Sequence, residues 1–363
     1  MIKKNEKLKV SFFINGFGEG GAEKQCAYLI NELQKDKNFE ISLLYFFEGP
    51  NFRLLNQNNI QLFKIPSASL YSIKNIPLVN NVINRIKPDI VFSWMQAPDV
   101  LSFFVKLRFP KVKWIIAERN SKYRRWDFRF ILRVMVGRFA NAIICNAEEG
   151  KLYWKKKCVS ERKITVIPNI LYTPEANKTE VKPIITGSPI VLFAGRLEVQ
   201  KNVIVLTKAF CKLADKFKEG RFYIIGKGSL KDSIAQIIQQ NDKTNQVILL
   251  PFQNNIYDFF SAADIFVSIS HYEGLPNAVI ENIALNKKMV ISGISQHKNI
   301  LGASFPYYVN GRSNTDEICD MIENALKDEN FSIHFQHGKK FVNSLNPDVI
   351  TNQYKKYFSY IKA

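Results

Sequence analysis

The sequence predicts an α/β protein made of two tandem parallel-sheet domains. Three observations carry this. Apolar runs of strand length alternate with amphipathic runs of helix length, the pattern of βαβ units. The alternation breaks over YTPEANKTEVKPIITGSP (172–189), which holds three prolines, and then restarts. The chain has 363 residues, 46% of them apolar, which is too much for one ordinary core and enough for two.

In the first domain, strands are expected at 9–14, 41–46, 61–65, 90–93, 114–117, 142–145 and 165–167. Each is a short apolar run rich in branched or aromatic residues. Helical spacing falls between several of them, at 22–33, 72–86 and 147–157. The second domain offers strands at 190–194, 222–225, 247–250, 265–268 and 289–292, with helices between. The boundaries drawn are 1–177, 178–345, and 346–363 for a terminal helix packing back on the first domain. Ligands of open parallel sheets lie beyond the carboxyl ends of the strands, so function is expected in a cleft where the two domains face each other.

The formal net charge of +19 points to a polyanionic partner: nucleic acid, an anionic membrane or a phosphorylated substrate. The five cysteines are scattered and show no CxxC spacing. They read as reduced thiols of a cytoplasmic protein, without a zinc site or disulfide framework. His334 and His337 lack a carboxylate at ligand spacing and read as a solvated pair. The start, MIKKNEKLKVSFFING, is a first strand rather than a signal peptide. No apolar run is long enough to predict a membrane-spanning helix.

NGFGEGGAEK (15–24) ends the first strand and opens the first helix, with Gly16, Gly18 and Gly21 spelling GxGxxG. Such a turn can bring backbone N–H groups to a phosphate. The plainer alternative is a turn that needs φ > 0. A dinucleotide site would want an acidic residue after the second strand, and Glu48 lies too far beyond it. Residues 106–138 hold eleven Lys and Arg against Glu118 and Asp127. Read as a helix from Lys122 on, they set Lys122, Arg125, Arg129 and Arg133 on one ridge beside Tyr123, Trp126, Phe130, Ile131 and Val134. A basic ridge with an aromatic flank suits an anionic membrane surface or a lipid-linked phosphate; a core helix with a solvated side is the alternative.

In the second domain, FAGRLEVQKN (193–202) sets Gly195, Arg196 and Lys201 at a strand end and helix start, where two cations could clamp a diphosphate. HYEGLPNAVIE (271–281) follows another strand. It offers Glu273, a Gly274–Pro276 turn, the first-turn N–H groups of Asn277, Ala278 and Val279, and Glu281. Two carboxylates with a helix N-terminus can hold hydroxyls and a phosphate together. Alone, they would be an ordinary helix start.

These segments resemble the family-4 retaining glycosyltransferases of the GT-B fold, two Rossmann-like domains facing a central cleft. The matching pieces run nearly the whole length: GFGEGGAEK, VIPN at 166–169, FAGRLEVQKN, IIGKGSL, and EGLPNAVIE with seven residues between its glutamates. GGAEK and the basic aromatic helix look closest to bacterial enzymes that extend polyprenyl-diphosphate-linked glycans for O-antigen, lipopolysaccharide, capsule or protein. The resemblance implies that Glu281 holds the donor ribose and that Glu273 contacts the transferred sugar. It implies that Arg196 and Lys201 neutralise the departing diphosphate, which Gly18, Gly20 and Gly21 approach. Gly195, Gly226, Gly274, Asn277, Ala278 and Val279 line the donor, and Phe252 borders the base. Many relatives carry a histidine where this chain has Arg119, preceded by Glu118. Arg119 could bind the acceptor phosphate, or Glu118 could orient the attacking hydroxyl.

The expected enzyme is thus a hexosyltransferase that retains configuration. It takes a hexose or N-acetylhexosamine from a nucleotide sugar, UDP favoured, to a lipid-diphosphate-linked saccharide. No DxD occurs, so no metal or other cofactor is expected. The expected place is cytoplasmic, peripheral at the inner face of the cell membrane, with no nucleic-acid partner. The rival readings are another GT-B enzyme such as a nucleotide-sugar epimerase, a basic nucleic-acid-binding protein, and a nicotinamide dehydrogenase.

Overall fold

A computed structural model of the chain describes residues 7–67, 69–119, 127–172, 185–253, 255–311 and 313–363. Two compact units emerge, Met1–Ile170 with Leu345–Ala363, and Leu171–Ser344. The chain therefore crosses between units at 170/171, before the proline-rich stretch rather than within it.

The first unit is built on seven parallel strands: β1 (Leu8–Gly16), β2 (Phe39–Phe47), β3 (Ile60–Lys64), β4 (Ile90–Trp94), β5 (Lys113–Glu118), β6 (Ala142–Cys145) and β7 (Ile164–Val166). Their order is β3-β2-β1-β4-β5-β6-β7. Val10 of β1 faces Ile41 on one side and Ile90 on the other, and both faces of β1 are buried, as helices on each side of a parallel sheet require. The helices are α1 (Gly21–Leu33), α2 (Asn75–Ile86), α3 (Gln96–Arg108), α4 (Phe128–Gly137) and α5 (Glu148–Lys156). Pro98 sits in the first turn of α3, where its missing N–H leaves no bond unmade. Phe13, Leu44, Val91, Ile83 and Val105 form one half of the core; Trp114, Ile116, Val134 and Trp154 form another. Lys122, Tyr123, Arg125 and Trp126 lie outside the described residues.

The second unit repeats the plan with β8 (Ile190–Ala194), β9 (Arg221–Ile225), β10 (Val247–Leu250), β11 (Ile265–Ser268), β12 (Lys288–Ser292) and β13 (Tyr308–Val309), in the order β10-β9-β8-β11-β12-β13. Its helices are α6 (Val203–Lys216), α7 (Lys231–Gln240), α8 (Ile256–Ala262), α9 (Asn277–Ala284), α10 (Ser295–Leu301), α11 (Thr315–Lys327) and α12 (Gln336–Asn343). The final helix, α13 (Pro347–Lys362), belongs to the first unit, where Lys355 pairs with Asp36 and Lys362 with Asp89.

In each sheet the strand order reverses once, between β1 and β4 and between β8 and β11. In open parallel sheets the loops at such a reversal part beyond the strand carboxyl ends, and that is where ligands bind. No helix among the described residues is long and apolar enough to cross a membrane.

Candidate active site

The two second-domain motifs leave the carboxyl ends of β8 and β11, the pair at the sheet's reversal point. Gly226 explains why the first loop can turn there. Its φ is +154°, and a Cβ would overlap the Gly195 carbonyl oxygen, so only glycine lets β9 pass so close to the Gly195–Arg196 turn.

The two loops are joined by charge. Lys201 Nζ lies 2.6 Å from Glu273 Oε1, and Glu273 is only 6% exposed. Burial alone would raise the Glu273 carboxyl; the Lys201 ammonium, helped by a Ser270 hydrogen bond, outweighs it and holds the group below the usual carboxylate range. Arg196 Nη2 donates to Gln200 Oε1 at 2.6 Å. Gln200 Nε2 donates to the Tyr272 carbonyl at 2.9 Å, and the Gln200 carbonyl accepts from the His271 N–H at 2.9 Å. Arg196, Lys201 and Glu273 are thereby gathered at one place, with Gln200 as the common tie. The sequence reading assigned nothing to Gln200, although it stands inside the motif.

Glu281 lies just over one turn into α9 and accepts from Tyr257 Oη of α8 at 3.0 Å. Tyr257 carried no sequence signal. Ala278 and Val279 occupy the first turn of α9, whose first intrahelical bond runs from the Ile280 N–H to Pro276 O at 3.1 Å. Asn277 departs from expectation: its N–H donates to the Leu275 carbonyl at 3.0 Å and so is already committed within the turn. Gly274 is half-buried, and Phe252 is exposed just past β10. Behind Glu273, the buried His297 of α10 donates from Nδ1 to the Ser292 carbonyl at 2.8 Å. Burial drives His297 down to about 4 and keeps it neutral.

The glycine turn after β1 does not use the positive φ of its plainer reading. None of Gly16, Gly18, Gly20 and Gly21 has positive φ. Glycine is needed there for close approach instead. A Cβ on Gly16 would overlap the Phe47 carbonyl and ring, whereas one on Gly20 would meet only the end of the Glu23 side chain, which folds back over the turn at the start of α1 and can move aside. A phosphate drawn to Gly18, Gly20 and Gly21 would therefore meet a carboxyl group already seated there.

The acceptor-side expectations need correction. Glu118 is buried and accepts from Arg133 Nη1 at 2.6 Å and from Trp154 Nε1 at 2.8 Å. Walled into the core, it cannot orient an attacking hydroxyl. Arg133 is 1% exposed and also donates to Asp99 Oδ2 at 2.5 Å, so it is not part of a surface ridge. Arg129 is exposed but bound to Asp127 at 2.7 Å. Of the expected ridge, Lys122 and Arg125 fall outside the described residues, and Arg129 and Arg133 point different ways. Arg119 is half-buried, stacked on Trp94 at 4.6 Å, and donates to Asn169 Oδ1 at 3.2 Å and to Tyr354 Oη of α13. Its guanidinium ties β5 to the segment before the crossing and to the returning helix.

Two family models match the chain. Residues 19–173 match "Glycosyltransferase Family 4", and residues 175–340 match "Glycosyl transferases group 1". Among curated relatives, a Campylobacter jejuni N-acetylgalactosamine-N,N'-diacetylbacillosaminyl-diphospho-undecaprenol 4-alpha-N-acetylgalactosaminyltransferase is 22% identical, over 78% of this chain and 80% of its own length. An Escherichia coli UDP-Gal:alpha-D-GlcNAc-diphosphoundecaprenol alpha-1,3-galactosyltransferase is 22% identical over 87% of each. Among solved structures, Anabaena Alr3699/HepE in complex with UDP and glucose superposes with a TM-score of 0.81, at 16% identity, over 97% of this chain and all of that one.

Proposed function

The chain belongs to the family-4 glycosyltransferases of the GT-B fold, and from that premise we propose that it moves a hexose or N-acetylhexosamine from a UDP-sugar to a saccharide carried on a polyprenyl diphosphate. The observation that carries this is the joining of Arg196, Lys201 and Glu273 through Gln200 beyond β8 and β11. The names of the Campylobacter and E. coli relatives support the lipid-linked acceptor, and the UDP in the E. coli name and beside HepE supports the donor.

In this reading the anomeric C–O bond breaks as negative charge grows on the leaving diphosphate, and stabilising that charge is the main task. Arg196 and Lys201 supply the positive charge, without a metal. A diphosphate beside Lys201 would compete with the Glu273 carboxylate for its ammonium, leaving Glu273 to accept from hydroxyls of the transferred sugar. Glu281, steadied by Tyr257, accepts from the ribose hydroxyls. Transfer retains configuration by a front-face route, with the leaving phosphate helping to take the acceptor proton. The protein works at a membrane surface, where its acceptor is anchored.

Three substitutions test the site. Glu281→Ala, Arg196→Ala and Lys201→Ala, assayed with UDP-sugars in EDTA, should each lower kcat/KM by about a hundredfold or more, as loss of a charged contact does. Melting temperatures should hold for Glu281→Ala and Arg196→Ala, while Lys201→Ala should lower its own, because it leaves the buried Glu273 carboxylate without its ammonium. Undiminished transfer in all three would overturn the assignment.

A further inference from the structure

We infer that Ser292 and His297, at the end of β12 and on α10, are positioning residues for the transferred sugar, because they hold the segment that carries Glu273 from the side opposite Gln200. This rests on the reading above, in which Glu273 meets that sugar.

β11 lies between β8 and β12 in the second sheet. Its ladder to β12 ends at the pair Ser268 and Ile291. Glu273 stands past that rung, on a segment that belongs to no strand. A carboxylate that works on a substrate has to be held to within about 0.5 Å, so backbone beyond a strand needs other ties. Gln200 supplies them from the β8 side, through His271 and Tyr272.

The β12 side supplies the second set. Ser292 is the last residue of β12, and its hydroxyl donates to the Ser270 carbonyl at 2.7 Å. A side chain thus replaces the ladder bond where the two strands part. The Ser292 carbonyl in turn accepts from His297 Nδ1 at 2.8 Å. His297 is itself anchored: its N–H donates to the Ile294 carbonyl at 3.1 Å, and its own carbonyl accepts from Tyr308 Oη of β13 at 3.3 Å. Ser270, Ser292 and His297 are fully buried, so water does not compete for these bonds.

The chemistry of the ring fits a tie. A carbonyl only accepts, so Nδ1 carries the proton, and the neutral ring leaves Nε2 as an acceptor. Nε2 is buried and accepts from no described residue. The bond that His297 makes to the site is therefore the one through Nδ1, which an asparagine amide can copy. Ser270, at the other end of the path, also helps hold the Glu273 carboxyl low. His297, Ser292, Ser270 and Glu273 form one buried path from α10 to the carboxylate. The ribose and diphosphate contacts are assigned to Glu281 and Arg196, on other segments. Loosening the path should thus weaken the hold on the sugar and spare the nucleotide.

The test compares UDP with a UDP-sugar on the full chain. Ser292→Ala and His297→Leu should each lower kcat/KM for the UDP-sugar by about tenfold, as loss of one buried hydrogen bond does. Their affinity for UDP, measured by calorimetry, should stay within about twofold of the parent's, as for a site with no shared partner. His297→Asn keeps a donor toward the Ser292 carbonyl and should recover most of the loss. In a Glu273→Ala chain, Ser292→Ala should cost almost nothing more, because its effect runs through Glu273. Equal losses for UDP and UDP-sugar, or an undiminished loss in the Glu273→Ala chain, would make Ser292 a general structural residue and overturn the proposal. So would parent-like kinetics in Ser292→Ala. Amide exchange keeps the two ideas apart. The His271 amide, bonded to the Gln200 carbonyl, should exchange about tenfold faster in Ser292→Ala, since the segment then opens more often. If the parent chain transfers sugar from no nucleotide sugar, the enzymatic reading fails, while the exchange rate still decides whether Ser292 holds the segment. An unchanged rate would show that it does not.

Discussion

Gln200 shows how an uncharged side chain can organise a charged site. Its carbonyl end takes Arg196, its amide end reaches the Tyr272 carbonyl, and its backbone carbonyl takes the His271 N–H. The guanidinium and the loop bearing Glu273 are therefore set relative to each other by one residue. Gln200→Ala removes hydrogen bonds to a charged group and to the loop while leaving Arg196, Lys201 and Glu273 in the chain. It should lower kcat/KM for the nucleotide sugar by about ten- to a hundredfold, with the melting temperature nearly unchanged. Kinetics matching the parent would show that the loops hold their geometry without it. The charged members of this site were legible in the sequence because cations and carboxylates at strand ends announce electrostatic work. Gln200 was not, because an amide beside a helix start reads as ordinary surface. Its role rests on a partner seventy-two positions later, Tyr272, and only the fold brings that partner in.

At the scale of elements, α4 shows a different limit. The strands were readable nearly residue by residue because an apolar run between turn residues has one outcome in a parallel sheet. The helix period at 128–137 was readable too, but not which side would face inward. Periodicity assigns the arginines to the solvent side and the apolar residues to the core; Val134 and Val136 obey it, but Arg133 turns inward while Phe128, Ile131 and Met135 face out. The inward direction is chosen by Asp99, buried in the first turn of α3, and by Glu118, at the end of β5. Neither carboxylate could be buried alone, so Arg133 is drawn in between them. Ser93 and Trp154 complete the network, donating to Asp99 at 2.5 Å and to Glu118 at 2.8 Å. Arg133→Met should therefore destabilise the chain by about 3–5 kcal/mol, the usual cost of breaking a buried pair from one side. Adding Asp99→Asn and Glu118→Gln should recover part of that loss, because the uncompensated charges go with the arginine. A surface arginine would make Arg133→Met nearly neutral in chemical denaturation, and that result would refute the buried network.

Over the whole molecule, the two units respond to pH in opposite directions. In the first, two buried carboxylates share one guanidinium, and burial raises Asp99 against the pull of Arg133. The native chain then holds a proton there that the unfolded chain has lost, so this contribution to stability declines as pH rises above the unfolded carboxylate range. In the second unit, burial lowers His297 from 6.5 to about 4, with the Ser292 carbonyl and Glu273 pulling the other way and Lys201 adding to the drop. The unfolded chain binds a proton at His297 below pH 6.5 that the native chain refuses. Stability from this group is whole above pH 6.5 and declines as pH falls toward 4, by at most about 3 kcal/mol. The two windows overlap between about pH 4 and 6.5, where the contributions of Asp99 and His297 oppose each other. His297→Asn keeps a donor toward the Ser292 carbonyl and removes that titration, so its melting temperature should rise relative to the parent's as pH falls from 6.5 to 4. The decline that belongs to Asp99 as pH rises should then stand unopposed. A variant whose pH dependence matches the parent's would place the proton elsewhere. That relative rise would show that the histidine behind Glu273 is neutral in the native chain, so that the charge answering the Glu273 carboxylate there is the Lys201 ammonium.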